Sequence, residues 1–212
     1  DYQDLRKSEP LQVTLENGAE LVERINTLPG VRAAFGKLNF SGMVSSGLRS
    51  TFFEGQAVDV VRQQKTLTRQ EDLITSGKPL SNSLGEVILG ADLADSLGIK
   101  IGDPVSIVVR TFYGGLNLTY GTLVGTKNGR HFPSSTYLEI RLDDGQKLLR
   151  VPDRVSQVVV AAQDFDLIPV LMQQVVTALH NEKIIYVTRG YAELIPIYAQ
   201  AIASFKVIST VV

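Results

Sequence analysis

The stretch "EVILGADLADSLGIKIGDPVSIVV", Glu86 to Val109, decides how the chain is read. It reads as a short apolar strand, a glycine, about two turns of helix, the hexapeptide "GIKIGD", and a second apolar strand. A glycine ahead of a helix can cradle an anion, because the first turn leaves its N–H groups without partners. Here the glycine spacing is not GxGxxG, and Asp92 in the first turn would repel a phosphate. Gly98 instead fits a helix end that needs positive φ, and "KIGDPV" fits a turn delivering the chain into a strand. The stretch is therefore expected to build the fold and to bind nothing.

Upstream, Leu11, Val13 and Leu15 alternate as in a strand. Leu21, Val22, Ile25 and Leu28 then recur at helical spacing, with Pro29-Gly30 as the stop. Residues 31–58 are rich in β-formers and broken by Gly36, Gly42 and Gly47, which predicts strands joined by a turn or bulge. Residues 59–85 turn polar and read as a loop around short helical pieces. Downstream, "NLTYGTLVGTK" and "TYLEIRL" read as strands, with "NGRHFPSS" a loop between them. "RVSQVVVAAQ" reads as a buried strand, "DFDLIPVLMQQVVTALHN" as an amphipathic helix capped by Asp164 or Asp166, and "KIIYVT" as a strand. This last strand–helix–strand run echoes the first, so the expected class is α+β, a ferredoxin-like layer of two βαβ-type halves split by a β-rich insertion. A final apolar stripe, Leu194 to Phe205, calls for a partner or a continuation.

Bulk properties narrow the function classes. In 212 residues, 21 Lys and Arg stand against 22 Asp and Glu, a net charge of -1 that offers no field for a nucleic-acid backbone. Cysteine is absent, which removes disulfides, thiolate catalysis and Cys-ligated zinc. The longest apolar runs are shorter than the ~20 residues needed to span a bilayer. The sequence opens at Asp1 without a signal-peptide pattern, as expected of a piece cut from a longer protein.

Reactive groups are sparse. His131 lies in a Gly/Pro/Ser-rich loop and His180 at a helix end, each without a second catalytic-type residue beside it. The acids of "RQEDL", with Glu71, and of "RLDDG", with Asp143, are adjacent in sequence and so point apart on a regular element. A single "DDG" lacks the spaced oxygen ligands of a calcium loop. No catalytic, cofactor-binding or metal-ligating residue is assigned, and no cofactor is expected.

The opening stretch also carries a resemblance. Gly90, Leu93, Ala94, Leu97, Gly98, Gly102, Asp103 and Val105 stand where the MacB-like periplasmic core domain has its hallmark glycines, leucines and "GD.V" turn. "LPGV" from Leu28, "FFEGQAVD", "TLVGTK" and "STYLEIRLDDGQKLLRVPDRVSQVVVAAQD" are similar to its other segments in the same order. The resemblance implies the extracytoplasmic domain of a MacB/FtsX/LolC-type ABC transporter permease, set between membrane helices one and two. It implies a porter-like subdomain in residues 1–85 and 152–190, an inserted β-rich subdomain in 86–151, and a helix over 191–212 leading to the second membrane helix. ATP hydrolysis would fall to a separate ATPase subunit or domain. This domain would be non-catalytic, dimeric in the transporter, and would couple helix movement to a periplasmic adaptor, a lipoprotein carrier or a hydrolase regulator. Flex is expected at "GKPLSNSLG" and "LLRVPDR". The competing reading is a stand-alone extracytoplasmic ligand- or peptide-binding module, and a third is a hydrolase using Asp143 or Glu71.

Overall fold

The computed structural model describes residues 14–66, 74–128 and 134–179. It has a mixed α+β fold. The elements in order are α1 (Gly18–Asn26), β1 (Val31–Ser45), β2 (Ser50–Val58), α2 (Val60–Thr66), β3 (Ile74–Gly77), β4 (Glu86–Gly90), α3 (Ala91–Leu97) and β5 (Pro104–Arg110). Then come β6 (Leu116–Lys127), β7 (Tyr137–Arg141), α4 (Leu142–Leu149), β8 (Gln157–Ala162), a 3-10 turn (Phe165–Leu167) and α5 (Ile168–Leu179).

The strands form one eight-stranded sheet in the order β2-β7-β4-β6-β5-β1-β8, with β3 against β6. A further β1–β2 pairing joins the first strand of this path back to its sixth and closes a ring. Pairs β2/β7 and β4/β6 are parallel and the others antiparallel. Alternation sends Leu38, Phe40 and Val44 of β1, Phe53 and Ala57 of β2, and Ile107 and Val109 of β5 into a shared core with Leu138 and Ile140 of β7. Helices α3 and α4 plug this core with Leu93, Ala94, Leu97, Leu148 and Leu149. Phe40 and Phe53 meet edge to face at 5.5 Å inside it.

β1 serves two units. Its first half, Val31 to Lys37, pairs with β8, and its second half pairs with β5 and β2. Over the first half, Leu21, Val22 and Ile25 of α1 and Leu179 of α5 pack on Ala34, Val158 and Val160 as a second core. β1 thus runs unbroken where the glycines predict interruption: Gly36 and Gly42 lie within the strand, and the turn comes only at Ser46–Arg49. At Gly42 a Cβ would sit 2.2 Å from the Val108 carbonyl, and at Gly36 2.7 Å from a Val155 methyl, so these glycines permit close packing.

Several expectations change. Of the strand predicted around Leu11–Leu15, only Thr14 and Leu15 are described, with Leu15 in an isolated bridge to Val155; the strand "KIIYVT" and the tail stripe lie outside the described residues. β8 is half-buried throughout, not buried. The loop read over 59–85 contains β3, and "LDDGQKLL" is helix α4 where a turn was read. The sheet also crosses the segment boundary drawn at 85/86: β1 and β2 pair with β5 and β7.

Candidate functional site

Every residue of the opening motif has an architectural task. Gly90 is in extended conformation at the start of α3, and a Cβ there would lie 1.9 Å from the Ser134 carbonyl oxygen. That carbonyl accepts the Leu93 N–H at 3.1 Å, and the Ser134 hydroxyl donates to Asp92. The Leu93 N–H, one of the groups an anion would need, is therefore taken, and the Asp92 carboxylate sits beside it. Leu93, Ala94 and Leu97 are buried, and Gly98 ends the helix at φ 69. The Asp103 carboxylate accepts the Lys100 N–H at 2.8 Å, Gly102 adopts φ 95, and the pair clamps Leu123 by two backbone hydrogen bonds. Val105 enters the core.

The acids read as a possible pair do not converge. Asp143 lies in the first turn of α4, paired with Arg141 at 2.7 Å, while Asp144 accepts the Gly85 N–H. Glu71, His131 and His180 lie outside the described residues. Among the described residues no cluster of three or more His, Asp or Glu could hold a metal.

Sequence reasoning missed a buried charged cluster on the outer side of the ring. A bulge in β6 creates it: Val87 pairs with Leu123 but Ile88 with Gly125, so Val124 is extra and the alternation flips. Lys127 then shares a side with Ile88 and Glu139; without the bulge it would point into the apolar core. Its ammonium contacts both Glu139 oxygens at 2.8 and 2.9 Å, with the two side chains 4% and 2% exposed. Tyr137 donates its hydroxyl to Glu139, and Gln56 Nε2 donates to Tyr137 at 2.6 Å and to Glu139 at 3.0 Å. Burial, then the Glu139 charge and hydrogen bond, push the Tyr137 hydroxyl well above its ordinary value. The carboxylate's bonds are all inward, so the cluster locks β2, β6 and β7 together and presents no reactive group.

A different feature faces outward. Phe52, Met43, Val108 and Leu118 stand opposite one another on β2, β1, β5 and β6, forming one apolar row across four strands. Phe52 is 50% exposed, Met43 43% and Leu118 48%. Leu116 and Tyr120 flank the row on β6, both more than two-thirds exposed. Together these side chains form a contiguous exposed apolar strip on the outer side of the sheet. The sequence signal for it was the alternation of Leu116, Leu118 and Tyr120 in "LNLTY" and the adjacent Phe52 and Phe53 in "TFFEGQ", which place one aromatic on each face of β2.

No family's sequence profile matches the chain. Solved structures do. The extracellular domain of the noncanonic ABC-type transporter YknZ from Gram-positive bacteria aligns at TM-score 0.60 and 12% identity, over 83% of this chain and 87% of that one. The periplasmic region of MacB from Actinobacillus actinomycetemcomitans aligns at TM-score 0.62 and 13% identity, over 96% of this chain and 88% of that one. A domain of a permease protein from Porphyromonas gingivalis aligns at TM-score 0.53 and 9% identity, over 81% and 72%. The chain has the fold of the periplasmic and extracellular domains of MacB-type ABC transporter permeases.

Proposed function

We propose that this chain is the extracytoplasmic domain of an ABC transporter permease of the MacB/FtsX kind, a non-catalytic relay between membrane helices and a partner outside the cytoplasmic membrane. In this reading a separate ATPase drives the helices, the transporter is a dimer, and the partner is an adaptor, a lipoprotein carrier or a hydrolase regulator. The reading is carried by the likeness to the MacB periplasmic region over 96% of the chain. The opening motif agrees with it, since its residues are spent on turns and packing. The exposed apolar row gives a relay something to grip with. Among the described residues no helix is long and apolar enough to cross a membrane.

The 212 residues contain no cysteine, so once any cysteine elsewhere in the protein is replaced by Ser a single introduced thiol reports alone. Leu48, 97% exposed at the tip of the β1–β2 turn, is replaced by Cys in the full-length protein, and intact cells are treated with a membrane-impermeant maleimide. Labelling in intact cells is the expected result. Labelling only after the membrane is broken would overturn the proposal.

A further inference from the structure

We infer that the edge of β6 that no described strand pairs accepts one extended polypeptide segment of a partner protein as an added strand. From Leu116 to Thr122, β5 occupies one edge of β6, while β4 covers the other edge only from Thr122 onward. The hydrogen bonds show which residues face which edge. Leu123 N–H donates to Asp103 beside β5, whereas Thr122 N–H donates to Gly85 at the start of β4. Leu116, Leu118 and Tyr120 therefore turn their backbone groups to the side that no described strand pairs. Leu118 N–H is satisfied there by the side-chain oxygen of its own neighbour Asn117, at 3.1 Å. That amide holds the place of a strand carbonyl.

Beside this edge lies an open cleft of about 460 Å³, within the roughly 300–1,000 Å³ range of ligand-binding clefts. Val87, Ile107, Ile140 and Leu148 give it an apolar lining, Lys147 of α4 also lines it, and Asn117 Nδ2 donates to the Leu148 carbonyl at 2.7 Å at the cleft's edge. An added strand would place alternate side chains against that lining and the others beside Leu116, Leu118 and Tyr120. Aliphatic residues at every second position, with an acid near Lys147, match this environment. A second copy does not fit, because its own β6 arrives with β5 already paired to it, and that strand would meet α4 and Leu84 across the cleft.

The test is hydrogen exchange and titration of the ¹⁵N-labelled chain. In the free chain the Tyr120 amide exchanges faster than those of Asn117 and Thr119, which face β5. The synthetic peptide Ac-TVEVTVT-NH2 slows Tyr120 exchange by about tenfold or more and shifts the signals of residues 116–121. A version with proline at the central valine, which lacks that N–H, binds at least about tenfold more weakly. Replacing Tyr120 with Pro removes an edge donor without touching the β5 ladder, so this variant folds and loses the peptide. Protection of all three edge amides in the free chain, shifts centred elsewhere, or equal binding of the proline peptide would each overturn the inference.

Discussion

At the scale of single residues, the buried Lys127–Glu139 pair is where one substitution does most damage. Lys127→Met leaves a carboxylate on a side chain only 2% exposed, with only the neutral Tyr137 and Gln56 as partners. The expected cost is about 3–5 kcal/mol. Adding Glu139→Leu should recover part of it, and urea unfolding of the single and double variants checks both. A single-variant loss below about 1 kcal/mol would mean the pair is solvated in solution. Glu86 supplies a pH dependence. Burial pushes its carboxyl up, but hydrogen bonds from the Lys78 ammonium and the Ser81 N–H outweigh this and hold it below the ordinary carboxylate value. The resulting stability is fully present above the unfolded-chain value of about 4.3 and lost as pH falls through the lower folded value. Glu86→Gln is therefore less stable near neutrality, and its deficit shrinks as the medium is made acidic. Unfolding free energies measured along an acid series read this directly. Neither group was legible beforehand: an alternating "YLEIR" and a terminal strand lysine do not disclose that a bulge brings them to one side.

At the scale of elements, the opening stretch was read correctly because its instructions are local. A strand, a glycine that no Cβ can replace, a buried helix stripe and two positive-φ glycines follow within about twenty residues. Gly90→Ala drives a methyl into the Ser134 carbonyl and should cost about 1–3 kcal/mol, through displacement of the 134–136 segment. Gly98→Ala meets only an arginine tip at 3.9 Å, so its cost is the left-handed backbone alone, about 1–2 kcal/mol. Thermal denaturation of the two variants separates steric from conformational cost. The element misread is equally instructive. "LDDGQ" falls where the family resemblance implies a turn, yet it is helical, and a Cβ at Gly145 would lie 2.3 Å from the Ala57 Cβ, so the glycine lets α4 lie close on β2. The acids beside it, Asp143 and Asp144, favour the first turn of that helix, as Lys147 does its last. Such tertiary demands on a glycine leave no mark in a local pattern, and the same holds for Gly36 and Gly42 inside β1.

At the scale of the whole molecule, the α+β class followed from alternating strand and helix signals, but the closed ring did not. The ring depends on β2 pairing with β7 across about 80 positions of sequence, and parallel pairings of that kind have no short-range signature. The second crossing read as flexible, "LLRVPDR", is tied to both units. Arg154 stacks on Phe112 at 4.7 Å, pairs with Glu16 and donates to Thr14, and Asp153 receives the Gly18 and Ala19 N–H groups. Arg154→Ala should therefore loosen the α1 unit before the ring. Faster amide exchange in α1 than in β5 of that variant is the expected observation, and uniform loosening of both would argue against it.

The long strand β1 carries one more implication, for mechanics. Its ladders with β2 and β8 run parallel to its length, so tension applied along it falls on many backbone hydrogen bonds at once and cannot peel them in turn. A tether built this way should resist stretching far better than it resists being pried open from the side. Optical-trap extension with handles at Val31 and Gln157, at opposite ends of the β1–β8 ladder, would then show a higher rupture force than handles at Val31 and Ala162, which share one end.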